Sequence, residues 1–212
     1  GEARRVELAR ALSYEPDLAL LDEPLTGLDR ALRNELKDEI RRVHDETGVT
    51  TVLVTHDQEE AISVSDRVVV IRDGRKEQEG TPREVYRRPS TRFVAEFVGE
   101  STRFDGFVDG SGDVRTDSGA RVRVNGRGEG DEGDGASVYV RPENVELVRD
   151  GTRHDNAFPG EVVEVTEMGS RAEARVLTEE GCVTAEVAGF SDVREGEEVV
   201  VGFDDPDAVV VA

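Results

Sequence analysis

Apolar runs alternate with amphipathic stripes in the N-terminal part of the chain. The runs DLALLD at 17–22 and TTVLVTHD at 50–57 are too short for helices and suit buried strands of a parallel sheet. A helical stripe at 2–13 precedes them. A second stripe, at 30–46, lies between them and places apolar residues at Leu32, Leu36, Ile40 and Val43. This order of elements predicts an α/β layer with a partly parallel sheet.

The pattern changes beyond Gly99. Short valine-rich segments such as ARVRV, SVYVR and EEVVVGF are separated by Gly, Asp or Asn, which predicts a small all-β barrel of the oligonucleotide/oligosaccharide-binding (OB) type. The acidic, Gly-rich segment Asn125 to Ala136 cannot pack a core and is predicted to be a mobile loop. We therefore expect two domains, an α/β domain over residues 1–99 and an OB-like β-barrel domain over residues 100–212.

Acidic residues dominate the composition. The chain has 48 Asp and Glu against 27 Lys and Arg, a formal net charge of −21. This charge opposes broad attraction to nucleic-acid phosphates or anionic lipid, so a general nucleic-acid binder is excluded. Lys37 and Lys76 are the only lysines. The bias is typical of a high-salt cytoplasm, as in a halophilic archaeon, and the alternative is an ordinary acidic mesophile protein.

Cysteine content and hydropathy favour a cytoplasmic protein without a membrane-inserted segment. Cys182 is the single cysteine, so the chain cannot form a disulfide or a thiolate metal cage by itself. No apolar run approaches the roughly 20 residues that cross a bilayer. The chain begins with Gly1 inside a predicted helix, and we expect it to be part of a longer polypeptide.

Acidic residues and a histidine follow the two predicted parallel strands. Asp22 and Glu23 end the first strand and His56 follows the second, so their side chains should emerge at one edge of the sheet. An Asp at such an edge can hold Mg²⁺, and a neighbouring carboxylate can orient or deprotonate water. The histidine can donate a hydrogen bond to a phosphate oxygen. Taken singly, Asp22-Glu23 could be a polar strand end and His56 could serve loop packing.

Four motifs in order resemble the distal half of an ATP-binding-cassette (ABC) ATPase. Gly1-Glu2 is similar to the end of the signature loop, LALLDEP at 18–24 to the Walker B strand, LTGLD at 25–29 to the D-loop, and His56 to the switch histidine. The resemblance covers residues 1 to about 98. It implies the distal half of a P-loop cassette that uses ATP and Mg²⁺.

The resemblance also implies a role for each matching residue. Asp22 would bind the Mg²⁺ shell, Glu23 would polarise the attacking water, and His56 would contact the γ-phosphate. Asp29 would couple two nucleotide sites across a homodimer. Gly1 and Glu2 would face the ATP held by the second ATPase subunit.

One part of the family pattern is absent from the sequence. No GxxxxGK[ST] phosphate loop occurs anywhere in the 212 residues. Phosphoryl transfer depends on that loop to hold the β- and γ-phosphates. We therefore expect this chain to be inactive alone.

The segment GRKEQEGTPREVYRRPSTRFVAEFVG resembles the linker of importer ATPases that leads to a transport-associated (TOBE) barrel. This implies an ATP-hydrolysing subunit at the inner face of the cell membrane, bound to an integral membrane permease. The solute would be an oxyanion such as molybdate, tungstate or sulfate, or else a polyamine, iron or a sugar. An alternative is a truncated cassette whose barrel binds a ligand or regulates. A chromosome-maintenance ATPase is a third, and it would need coiled-coil heptads that the chain lacks.

Overall fold

The structure is a computed structural model that describes residues 6, 10, 16–124, 131–149, 153–189 and 192–211. The chain divides into two compact units. The first comprises Gly1–Val69 and Glu79–Arg83, and the second comprises Val70–Gln78 and Glu84–Ala212. The predicted domain boundary between residues 99 and 100 stays a prediction.

The first unit is built on two parallel strands and two helices. Strand β1 (Leu18–Asp22) pairs in parallel with β2 (Thr50–Val54), which places Asp22 beside Val54 at the end of the pair. Helix α1 (Arg30–Thr47) connects the strands, and α2 (Gln58–Val64) follows β2. A small core of Leu25, Leu36 and Ile40 forms where the apolar stripe of α1 is buried.

A hairpin follows α2. Strand β3 (Val68–Arg72) pairs with β4 (Arg75–Gly80). The two turn residues Asp73 and Gly74 have φ values of 50° and 72°. Positive φ at both central positions is the type I′ geometry that Asp-Gly adopts readily in a two-residue hairpin turn.

Two short helices come next, α3 (Pro82–Arg87) and α4 (Arg92–Phe97). Thr91 caps α4 because its hydroxyl accepts a hydrogen bond from the Val94 N–H. Within the second unit, Ala95 of α4 packs with Tyr139 and Val211, and all three are buried.

The rest of the second unit is a pair of five-stranded antiparallel sheets. The strands are β5 (Thr102–Val108), β6 (Val114–Thr116), β7 (Arg121–Val122), β8 (Gly135–Val140), β9 (Glu146–Val148), β10 (Asn156–Glu167), β11 (Arg171–Thr178), β12 (Gly181–Ala188), β13 (Glu198–Phe203) and β14 (Ala208–Val211). Their orders in the two sheets are β12-β11-β10-β13-β9 and β14-β8-β5-β6-β7. Single 3₁₀ turns at Pro142–Asn144 and Asp205–Asp207 join some of the strands.

One continuous valine-rich core fills the space between these sheets. Buried and exposed residues alternate along β5, as expected of a strand with one face in the core. The rings of Phe104, Phe158 and Phe203 lie at the centre, with centroids 5.4 to 5.9 Å apart. The predicted fold class, an α/β part followed by an OB-like β-barrel, is confirmed.

The loop predicted at Asn125 to Ala136 is wrong at its C-terminal end. Residues 125–130 lie outside the described residues. Gly135 and Ala136 begin strand β8, and Ala136 is buried in the barrel core. The Val108 N–H donates to the Asp134 carbonyl, so the pairing with β5 holds the segment in place. The composition predicted a loop there because the run of glycine and acidic residues continues to Gly135, the first residue of the paired strand β8.

Candidate functional site

Two parallel strand ends place the predicted site residues of the first unit. Asp22 is the last residue of β1, and Glu23 follows it with a φ of 47°. The Glu23 N–H donates to the Val54 carbonyl at 2.8 Å, so the turn is fixed against the end of β2. A positive φ is uncommon for a residue with a Cβ. Here the turn directs the chain away from β1 immediately after the two carboxylates.

The structure brings Glu23 and His56 into direct contact. His56 Nδ1 lies 2.7 Å from Glu23 Oε1. The other carboxylate oxygen, Oε2, accepts a hydrogen bond from the Thr26 hydroxyl at 2.7 Å. Each oxygen of Glu23 therefore has one hydrogen bond with a neighbouring side chain.

The contact between Glu23 and His56 shifts the pKa of both groups. The hydrogen bond from His56, assisted by that from Thr26, lowers the pKa of Glu23 below its ordinary value. The hydrogen bond with Glu23 and the attraction of its charge raise the pKa of His56 above its ordinary value. Each group thus favours the charged form of the other. The arrangement stabilises a carboxylate next to an imidazolium at the exposed edge of the strands.

The remaining predicted site residues are placed differently. Asp22 ends β1, exposed and in register with Val54. Asp29 caps helix α1, where its carboxylate accepts a hydrogen bond from the Leu32 N–H at 3.0 Å. Gly1 and Glu2 lie outside the described residues. The contacts therefore join Glu23 to His56, whereas the roles of the other residues stay predictions.

The side chains at this edge of the strands suit Mg²⁺ better than a metal ion whose ligands all come from the protein. Within the described ranges, no cluster of three or more His, Cys, Asp or Glu side chains could enclose an ion. Magnesium usually takes only one or two carboxylates and completes its shell with water and substrate phosphates. The exposed carboxylate of Asp22 fits that mode of binding.

The sequence did not predict the contacts that several neighbours of His56 make. Thr55 and Asp57 flank it, and both bond to Glu60, which is buried in the first turn of α2. Arg33 of α1 forms an ion pair with Asp57 at 3.4 Å. The pattern Asp-x-x-Glu at 57–60 is a helix N-terminal signal that could have revealed the Asp57 cap. No sequence signal shows that Glu60 is buried.

Comparison with known proteins assigns the part of the barrel from β8 to β14. Residues 138–211 match the family model of the TOBE domain. The TOBE match begins within β8 and ends at the last residue of β14.

Curated relatives match a longer stretch. The sulfate/thiosulfate import ATP-binding protein CysA of Caulobacter vibrioides is 49% identical over 148 residues, which are 69% of this chain and 42% of that protein. The spermidine/putrescine import ATP-binding protein PotA of Marinobacter nauticus is 39% identical over 216 residues, 97% of this chain and 57% of that protein. PotA of Ureaplasma parvum is 35% identical over 211 residues, 100% of this chain and 40% of that protein.

The chain thus spans between 40% and 57% of the length of these relatives. It is similar to the C-terminal region of ABC importer ATP-binding subunits, and this coarser part of the sequence resemblance is confirmed. A halophilic origin stays a prediction. Among the described residues, no helix combines the length and apolar character needed to cross a membrane.

Proposed function

We propose that this chain forms the distal half of the ATP-hydrolysing subunit of an ABC importer, completed by a phosphate-loop half. The observation that carries the proposal is the contact between Glu23 and His56, at 2.7 Å, formed from the ends of two parallel strands. Similarity to three import ATP-binding proteins supports it. In this proposal Glu23 orients the attacking water and accepts its proton.

His56 would act as a donor toward phosphate. Its Nδ1 faces Glu23, and its side chain is 77% exposed, so Nε2 is open to a ligand. Because the contact with Glu23 raises the pKa of His56, the imidazole keeps protons on both nitrogens to a higher pH. A charged Nε2–H can then donate to an anionic oxygen.

Glu23 can accept a hydrogen bond from water while it keeps its present partners. Its two oxygens accept one hydrogen bond each, from His56 and from Thr26, and each oxygen has a second lone pair that can accept from the attacking water. Asp22 would hold Mg²⁺, which neutralises phosphate charge when bound. Asp29, Gly1 and Glu2 would contact the second subunit and its ATP.

The partners proposed are a second copy of the subunit and an integral membrane permease at the cytoplasmic face. The proposed solute is an oxyanion such as molybdate, tungstate or sulfate, and the alternatives are a polyamine, iron or a sugar. The relatives are named for sulfate/thiosulfate and for spermidine/putrescine, which carry opposite charges. An oxyanion is the first candidate, in line with the 49% identical relative.

The test replaces Glu23 with glutamine in the complete cassette polypeptide. The amide keeps the size and shape of the side chain but cannot accept a proton. Calorimetric titration with Mg-ATP should show binding like that of the unaltered protein, whereas phosphate release should be lost. Glu46→Gln is the matched control, because Glu46 is an exposed residue of α1 whose carboxylate pairs with Arg42.

A further inference from the structure

Three hydrogen bonds form a closed ring that links the two residues on either side of His56 with Glu60. The Asp57 N–H donates to Thr55 Oγ1 at 3.0 Å, and the Thr55 hydroxyl donates to Glu60 Oε2 at 2.7 Å. The Glu60 N–H completes the ring by donating to Asp57 Oδ1 at 3.0 Å. This Thr55–Asp57–Glu60 ring fixes the residue before His56 and the residue after it.

The ring matters because the His56 side chain has little else to orient it. The side chain is 77% exposed and contacts Glu23 through Nδ1. An exposed imidazole lacks the packing that normally selects one rotamer. The direction of its Cα–Cβ bond therefore depends on the backbone at residues 55–57. By fixing that backbone, the ring determines where the imidazole meets Glu23.

Glu60 is an unusual residue to bury for stability alone. It is 1% exposed, and its Oε1 has no hydrogen-bond partner among the described residues. Burial raises the pKa of Glu60, while the Thr55 hydroxyl opposes that shift. A buried carboxylate with an unpaired oxygen is unfavourable, and an apolar side chain would pack there without that penalty. The carboxylate accepts the hydrogen bond from the Thr55 hydroxyl, which an apolar side chain could not do.

A second connection ties the ring to helix α1. Arg33 Nη1 lies 3.4 Å from Asp57 Oδ2, the oxygen that the ring does not use. Arg33 Nη2 also reaches the Leu28 carbonyl at 3.5 Å. The residue after His56 is therefore held by α1 as well as by α2.

We propose that Thr55 and Glu60 are positioning residues, which hold His56 in register with Glu23 through the Thr55–Asp57–Glu60 ring. The inference rests on the proposed role of Glu23 and His56 in ATP hydrolysis. Neither Thr55 nor Glu60 needs to touch nucleotide. Their effect passes through the backbone on both sides of the histidine.

The sharpest test is Thr55→Val, which removes the hydroxyl while keeping the branched shape and leaving every charge unchanged. In this chain, NMR should show amide exchange at Asp57 accelerated about 10-fold or more, because the N–H loses its acceptor. The pKa of His56 should fall toward its ordinary value of 6.5 as contact with Glu23 loosens. In the complete cassette, kcat should fall about 10- to 100-fold, since small misplacements of catalytic groups have effects of that size. KM for Mg-ATP should stay within about threefold, because nucleotide binding does not use the ring.

Two variants control for general destabilisation. Thr55→Ser restores the hydroxyl and should return kcat, the Asp57 exchange rate and the His56 titration close to those of the unaltered protein. Thr51→Val makes the same chemical change within β2, the strand that precedes Thr55, at a hydroxyl outside the ring. It should leave all three readouts unchanged.

The outcomes separate this inference from the proposed function. If Thr55→Val leaves Asp57 exchange and the His56 titration unchanged, or changes both without lowering kcat, the positioning role is overturned. If Glu23→Gln also hydrolyses ATP normally, the proposed function fails instead, whereas the NMR measurements still decide whether the ring orients His56.

Discussion

Replacing Arg141 with methionine should destabilise the second unit by about 3 kcal/mol. Arg141 is 5% exposed, and its Nη1 donates to the carbonyls of Gly99 and Glu100. Its guanidinium lies over the ring of Tyr86, 4.5 Å from the centroid. The residue thus ties the end of the α3–α4 segment to the β-barrel within that unit.

The magnitude follows from these contacts. Hydrogen bonds from a charged donor contribute about 1.5–3 kcal/mol each, and a desolvated cation–π contact contributes up to about 2 kcal/mol. Burial lowers the pKa of Arg141 because it disfavours the charged guanidinium. This desolvation cost offsets part of the stabilisation from the hydrogen bonds and the cation–π contact. Methionine recovers the packing of the stem but leaves two carbonyls without their donor. A net loss of about 3 kcal/mol corresponds to roughly a 100-fold smaller folding constant.

Urea unfolding followed by tyrosine fluorescence measures this loss. The chain has no tryptophan, and Tyr86 and Tyr139, two of its three tyrosines, lie in the second unit. Arg149→Met is the control, because Arg149 is 60% exposed and pairs with Glu197 at the surface. Such a pair contributes only about 0–1 kcal/mol. A loss below about 1 kcal/mol for Arg141→Met, matching the control, would refute the reasoning that Arg141 anchors the segment.

Two further predictions concern charge. The Glu23–His56 pair should stabilise the folded protein most between pH 4.5 and 6.5, the ordinary pKa values of the two groups. Because the pKa of Glu23 is lowered on folding, this stabilisation is lost as the pH falls below that window. Because the pKa of His56 is raised on folding, it is also lost as the pH rises above the window. An NMR titration should place the His56 midpoint above 6.5, and Glu23→Gln should lower it; equal midpoints would contradict the pairing. Separately, the thermal midpoint of the chain should rise between dilute buffer and about 2 M KCl, because salt screens a net charge of −21, and a flat response would contradict a high-salt origin.

Local rules were sufficient where neighbouring residues determine the structure. The strand at Leu18–Asp22, the Asp29 cap of the following helix and the Asp73-Gly74 turn each depend on residues within a few positions. The same holds for the edge of the parallel strands, which explains why Glu23 and His56 were expected near one another. Their direct contact needed the structure.

The sequence did not show which polar side chains are buried by contacts with distant parts of the chain. Glu60 follows Glu59 in a polar helix start, and periodicity alone would assign both residues to solvent. Arg141 directly follows strand β8, and the chain pattern gives no sign that its acceptors are carbonyls about 40 residues earlier. In both cases a polar side chain is buried because distant backbone or hydroxyl groups satisfy it.

The rate of phosphate release by the complete cassette carrying Glu23→Gln, at saturating Mg-ATP, tests the central claim most directly. If Glu23 orients and deprotonates water, turnover should fall by about 10²–10⁴-fold, as is typical when a general base is lost. Glu46→Gln should hydrolyse at the rate of the unaltered protein. Turnover of Glu23→Gln within about threefold of that rate, in a protein that binds Mg-ATP normally, would contradict the assignment of this strand edge as the hydrolytic site.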